Sequence, residues 1–194
     1  MKKLLLLNPR KQLRIRKMVS EVEIKARIDL ASITPKLDEL GVEFLDIVEI
    51  KDTYFDRDST LFLNKTTLRI REEDGRPTYV TYKSPSSVPY TRFEINTPVL
   101  EDEPIFEKLE SVGMKPIGVV EKKRTEFICG DCVTICLDEV KDLGDFMELE
   151  IIESNFDHGK IEGNYHLLLS ILSVLGVGTD QQVSKSYIDL LLNR

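Results

Sequence analysis

Residues 20–29 read SEVEIKARID, with Glu21, Glu23, Lys25 and Arg27 at every second position and Val22, Ile24, Ala26 and Ile28 between them. This alternation marks a half-buried β-strand, because successive side chains of a strand point to opposite faces. The apolar face asks for a core, while the other face carries two acids followed by two bases. The device returns near the end of the chain, where GDFMELEII (144–152) sets Glu148 and Glu150 against Met147, Leu149 and Ile151.

Outward from this stretch the alternation recurs, marking eight strands at about residues 20–29, 42–56, 66–73, 78–84, 90–98, 117–129, 131–140 and 145–154. Helical patterns lie between and after them. ASITPKLDELG (31–41) offers Ser and Thr caps with Pro35 in the first turn, and DEPIFEKLESVG (102–113) has an acidic first turn and a terminal glycine. Two further helices are predicted at about 159–175 and 183–192. The pairs Asp74-Gly75 and Gly130-Asp131 and the stretch KSPSSVP (83–89) read as hairpin connections. Short links between successive strands imply antiparallel pairing, so the predicted class is α+β with a mainly antiparallel sheet. Eight strands suffice to close a β-barrel. With the helices packed outside against the apolar faces, the charged faces would line its lumen.

A chain of 194 residues suits one domain with a substantial core, and 41% hydrophobic with 31% charged residues describes a soluble globular protein. The apolar run Leu4–Leu7 is too short for a signal-peptide core or a membrane span, so no membrane association is expected and the expected location is cytoplasmic. The net charge of −7 hides an asymmetry: residues 1–17 carry +7 and the remainder −14. The body is therefore not built to bind nucleic acid, and only the basic arm could touch RNA or anionic lipid. Met18 stands immediately before the first patterned strand. Residues 1–17 then read as an appended extension and 18–194 as a single domain. Cys129, Cys132 and Cys136 crowd the 129–136 hairpin, but His158 and His166 have no ligand spacing to them, so reduced thiols are expected rather than zinc. Two histidines also argue against a His-activated nucleophile.

The remaining strands repeat the opening pattern. Arg69 and Arg71 share a face, Lys83 follows on the next strand, and Arg92 with Glu94 on the one after. Lys122, Arg124 and Glu126 alternate on the sixth strand, and Asp138 lies on the face of Cys132, Thr134 and Cys136 on the seventh. Any one of these is explained as a solvent-facing charge worth a few tenths of a kcal/mol in a surface ion pair. The set is sorted, however: bases on five strands, paired acids on the first and last. Two Glu-x-Glu pairs brought together repel unless a cation stands between them. Mg2+ or Mn2+ accepts such carboxylates and keeps part of its shell for substrate phosphates, for which the Arg and Lys residues are suited. The residues alone thus indicate a divalent metal and a polyphosphate.

EVEIKAR resembles the Glu-x-Glu-x-Lys signature of the CYTH superfamily, the triphosphate tunnel metalloenzymes, over about residues 19–192. The segments LRIRE, YKSP, TRFE, KKRTEF, LDEVKDLGDFMELE and SKSYIDLL carry the resemblance further, in order. It implies an eight-stranded antiparallel tunnel holding a triphosphate with Mg2+ or Mn2+. By position, Glu21, Glu23, Asp138, Glu148 and Glu150 would serve the metal. Lys25, Arg69, Arg71, Lys83, Arg124 and Lys185 would hold phosphates, Glu94 would orient the neighbouring bases, and Arg92 and Lys122 would line the tunnel. Lys25, Arg124 and Asp138 are the residues assigned to catalysis. Asn96 stands where some members carry another acid. The stretches DTYFD (52–56), LDEVKDLGDFMELE and GTDQQVSKSYIDLL look most like the class IV adenylyl cyclase branch, which cyclises ATP and whose members are often dimers. The alternatives are hydrolysis of inorganic triphosphate, thiamine triphosphate or a nucleotide, and a tunnel that binds without catalysis.

Overall fold

A computed structural model describes residues 19–100, 103–153 and 157–193; the basic arm at 1–17 lies outside the described residues. Eight strands form: β1 Val19–Arg27, β2 Glu43–Asp56, β3 Thr67–Glu73, β4 Tyr79–Pro85, β5 Thr91–Pro98, β6 Lys115–Cys129, β7 Val133–Val140 and β8 Gly144–Glu153. They close into one antiparallel barrel in the order β1-β5-β4-β3-β2-β6-β7-β8. The α+β barrel expected from the alternation is the fold, and each strand begins and ends within about two residues of its predicted place. Closure leaves β1 paired on one side with β8, from Ser20↔Glu153 to Arg27↔Phe146, and on the other with β5 only from Val19↔Glu94 to Val22↔Thr91. The two Glu-x-Glu strands are therefore neighbours.

Among the described residues five α-helices accompany the barrel: α1 Leu30–Leu40, α2 Thr60–Leu63, α3 Ile105–Ser111, α4 His158–Val174 and α5 Tyr187–Leu191. The main core lies outside the barrel wall. Val22, Ile24 and Ala26 of β1, Val133, Ile135 and Leu137 of β7, and Met147, Leu149 and Ile151 of β8 pack beneath Ile33 and Leu37 of α1 and Ile161, Leu168 and Leu172 of α4. Full burial of each large side chain here stabilises the fold by about 1.5–3 kcal/mol. Alternation decides this arrangement, since the residues between these apolar ones can only point into the lumen. Helix α4 starts at Asp157, whose carboxylate accepts from the Gly159 and Lys160 amides at 2.9 and 3.2 Å. At its other end Lys36 Nζ of α1 donates to the Leu175 carbonyl at 2.6 Å, tying the two helices together where a cation suits the helix dipole.

Three local expectations change. Helix α1 begins at Leu30 with Asp29 at the cap position, so Pro35 falls in the second turn rather than the first. Helix α2, at the β2–β3 connection, was not legible; Asp56 creates it by accepting from the amides of Arg57, Leu61 and Phe62. The helix predicted over 183–192 is only Tyr187–Leu191, capped by Ser186 Oγ accepting from the Asp189 amide. Residues ahead of it are extended because the upper half of β1 has no β5 partner: Val183 donates to the Lys25 carbonyl at 2.8 Å, and Gln182 bridges Ala26. That contact brings α5 over one end of the barrel, where Tyr187 and Ile188 pack with Tyr54, Val120, Val140 and Phe146. Among the described residues no helix is long and apolar enough to cross a membrane.

Candidate active site

A cavity of about 380 Å³ occupies the lumen, within the range of small-molecule sites. Its lining includes Glu21, Glu23, Lys25, Arg69, Arg71, Lys83, Arg92, Glu94, Lys122, Arg124, Glu148, Glu150 and Lys185. All the residues expected to form the site therefore meet here except Asp138, which lies on the lumen face of β7 but is covered by Arg124, Lys122 and Tyr187.

The acids form one side. Register sets Glu23 directly opposite Glu150 and Lys25 opposite Glu148 across the β1–β8 pair. Glu23 and Glu150 are like charges facing each other, an arrangement that destabilises a sheet when left uncompensated. Lys25 Nζ lies 3.1 Å from Glu148 and 3.8 Å from Glu23, over the ring of Tyr187. Lys83 reaches across from β4, hydrogen-bonded to Glu23, 2.8 Å from Glu21 and 3.7 Å from Glu94. Glu150 has the weakest compensation, Arg124 Nη1 at 4.0 Å. Burial, followed by the charges of Glu21, Glu148 and Glu23, pushes its carboxyl well above the usual range. Glu148 goes the other way: burial would raise its carboxyl, but Lys25, Arg124 and Lys122 outweigh it.

The bases form the other side and are held from behind. Asp52 is fully buried and receives Arg71 in a fork, Nε and Nη2 at 2.7 and 2.8 Å, with Arg69 Nη1 at 3.4 Å. Arg69 also donates to the Tyr54 hydroxyl at 3.1 Å. Burial would raise the Asp52 carboxyl, but the two guanidinium charges overcome it and hold it well below the carboxylate range. Asp138 does the same for β6. Arg124 grips it through Nε and Nη2, both at 2.6 Å, and its Oδ2 also accepts from Lys122 at 2.7 Å and from the Tyr187 hydroxyl at 2.9 Å. Arg124 hydrogen-bonds Glu148 as well, joining the basic wall to the acidic one. Glu94 accepts from Asn96 Nδ2 at 2.6 Å, and Asn96 Oδ1 in turn accepts from Thr81.

Two guanidinium atoms, Arg69 Nε and Arg92 Nε, are buried with no hydrogen-bond partner. Arg92 otherwise donates to the Lys65 carbonyl at 3.0 Å. A buried charged donor left unmet costs about 1–3 kcal/mol or more, so these atoms suit an incoming acceptor.

Residues 1–18 aside, the acids fit a hard divalent cation by donor type: they are carboxylates only, gathered on β1 and β8, with a pair in direct opposition. Among the described residues no three His, Cys, Asp or Glu side chains converge as a ready-made cage, because Lys83 and Lys25 stand among the acids as counter-ions. The cysteines are free, and Cys136 is buried on the lumen face of β7.

Asp52, Tyr54 and Tyr187 were missed as site residues. Asp52 carried a signal, an acid at an even position among the otherwise apolar Val48, Ile50 and Tyr54 of β2, since a buried acid demands a cationic partner. Tyr187 carried a signal only through the resemblance of SKSYIDLL, from which Lys185 alone was assigned; its place in the lumen comes from the return of the tail. The rim holds a further pair: Tyr90, before β5, stacks on Tyr165 of α4 with centroids 4.0 Å apart and planes 13° apart. Tyr90 has φ +64°, a left-handed conformation that costs a bulky residue about 1–2 kcal/mol. Stacking returns about 0.5–1.5 kcal/mol. As a purely structural staple the pair barely breaks even.

The solved structures agree with this architecture. The PH1819 protein of Pyrococcus horikoshii is 32% identical, with 89% of this chain and 98% of that one covered and a TM-score of 0.79. A Vibrio parahaemolyticus protein described as a candidate adenylate cyclase shares 20% identity over 89% and 97% of the two chains, with a TM-score of 0.77. The Hippeastrum protein HpAC1, named for adenylyl cyclase and described as having a dominant triphosphatase activity, shares 16% over 91% and 96%, with a TM-score of 0.62. At these last two identities the likeness is one of fold. No curated protein matches the chain. The CYTH domain model matches residues 20–187, from the first Glu-x-Glu strand to Tyr187 in the barrel end, and the chain belongs to the CYTH family.

Proposed function

We propose that the lumen binds a triphosphate together with Mg2+ or Mn2+, and that the protein is a cytoplasmic adenylyl cyclase of the class IV kind. The observation that carries this reading is the pair of buried, unpartnered donors, Arg69 Nε and Arg92 Nε, set in a wall of bases opposite a wall of acids. Phosphoryl oxygens match guanidinium donors in charge and geometry. Arg69, Arg71, Lys83, Arg92, Lys122, Arg124, Lys25 and Lys185 would bind the phosphate chain, with Asp52 fixing Arg71 and Arg69 in place. Glu21, Glu23, Glu148 and Glu150 would hold the metal, which supplies charge neutralisation and Lewis-acid polarisation of phosphoryl oxygens when bound. The oxygens of Asp138 are engaged by Arg124, Lys122 and Tyr187, so we assign it to positioning Arg124 rather than to ligation.

In the reaction the ribose 3′-oxygen attacks the α-phosphorus in line, the bond to the bridging oxygen breaks, and pyrophosphate leaves with the electron pair. The hydroxyl proton passes to solvent. Arg124 and Lys25 would stabilise the charge that develops, a role supported by their being held by Asp138 and Glu148 before the substrate arrives. The cyclase branch is supported by the segments LDEVKDLGDFMELE and GTDQQVSKSYIDLL. Hydrolysis at the terminal phosphorus is the second reading, because a fold neighbour named for cyclase acts chiefly as a triphosphatase.

Product analysis tests the choice: protein with Mg2+ or Mn2+ is offered ATP, inorganic triphosphate and thiamine triphosphate in parallel. Cyclic AMP with pyrophosphate is the expected result. Orthophosphate without cyclic AMP would establish hydrolysis instead. Turnover that persists at the parent rate in Glu23→Gln would sink the site assignment.

A further inference from the structure

The charged lining accounts for phosphates and leaves the organic end of the substrate unaddressed. The rim supplies an answer on the β5 side. Tyr165 is half-buried and packed against the main core, so its ring is fixed. Tyr90 lies parallel on it, yet 53% of Tyr90 remains exposed, in a left-handed backbone conformation that only the surrounding structure can impose. Both rings line the same cavity as Arg92 and Lys185. Tyr90 precedes Arg92 by two residues, so its ring and that guanidinium reach the same cavity from neighbouring positions of one segment.

We infer that Tyr90, backed by Tyr165, is the platform on which the base of a nucleoside triphosphate stacks, and that it separates ring-bearing triphosphates from inorganic triphosphate. The inference rests on the reading of the lumen as a triphosphate site. Every base presents a π-face, so this platform selects for an aromatic ring rather than for one base by its hydrogen bonds.

The test is equilibrium binding of ATP and of inorganic triphosphate, each with Ca2+ and Mg2+ in turn, to the parent, Tyr90→Ala and Tyr90→Phe. The expected result is an ATP affinity about tenfold weaker in Tyr90→Ala and near the parent value in Tyr90→Phe, with inorganic triphosphate within about twofold in both. The retained inorganic triphosphate binding certifies that the variant is folded. A second readout uses the absence of tryptophan from the chain: ATP should quench tyrosine emission in the parent, less so in Tyr90→Ala, and inorganic triphosphate should not. Equal losses for the two ligands, or no loss for ATP, would overturn the platform alone. A parent that binds only inorganic triphosphate would do the same and leave the triphosphate site standing. A parent that binds neither ligand would overturn both.

Discussion

Asp52 shows how a single side chain organises the basic wall: it is fully buried and holds Arg71 and Arg69 on the lumen side of β3. Removing its charge strands two cations, so Asp52→Asn should cost about 3 kcal/mol in chemical denaturation and raise KM for the triphosphate. Because the folded carboxyl is held below its ordinary value, its contribution is complete above pH about 4 and is lost as the pH falls from there. The parent should therefore lose stability on acidification below pH about 4 more steeply than Asp52→Asn does. Glu150 presents the opposite balance, since it faces Glu23 across the β1–β8 pair. At a pH high enough to ionise the raised Glu150 carboxyl, Glu150→Gln relieves a repulsion of about 0.2–1 kcal/mol, which in a chain of this size raises the metal-free Tm by roughly 0.4–4 °C. The same variant should lose most of the stabilisation that added Mg2+ or Mn2+ gives the parent in thermal unfolding.

Among the elements, α5 is the one whose position matters most to the site. It carries Tyr187 to Asp138 and beneath Lys25 and Lys122. Gly118 of β6 permits this approach: a Cβ there would lie 2.7 Å from Ile188 Cδ1, and Ile188 is itself buried. Gly118→Ala should destabilise by about 1–2 kcal/mol and raise KM, because the displaced helix takes Tyr187 with it. A denaturation curve paired with substrate titration checks both effects. The β-strands were legible in the sequence because alternation repeats over seven to fifteen residues in each. The tail was not, since Gln182 and Val183 are held by the part of β1 that has no β5 partner rather than by propensity.

At the scale of the molecule, closure of the barrel turns a sheet face into an enclosed surface. Charges that would be screened in water stand among one another in a cavity, and each wall becomes the other's counter-charge. A triphosphate with its metal, binding the folded state alone, should stabilise the protein by about 2.7 kcal/mol at a hundredfold excess over Kd. That corresponds to a rise in Tm of roughly 5–10 °C, measurable by thermal unfolding with and without ligand. Magnesium alone should give less, and a triphosphate with a chelator less again.

The amino-acid pattern by itself determined which residues face inward. A period of two leaves no freedom once one face is apolar, and Glu21, Glu23, Lys25, Arg69, Arg71, Lys83, Arg92, Glu94, Lys122, Arg124, Glu148 and Glu150 all follow from it. Tertiary structure decided which of these meet. Pairing of β1 with β8 brought Glu23 against Glu150, the β6–β7 register turned Asp138 toward Arg124, and the return of the chain's end delivered Tyr187 and Lys185 to the cavity. The physical reason is that a strand's face is a local property of the backbone, whereas the neighbour across a closed barrel is chosen by the stagger of every strand around it.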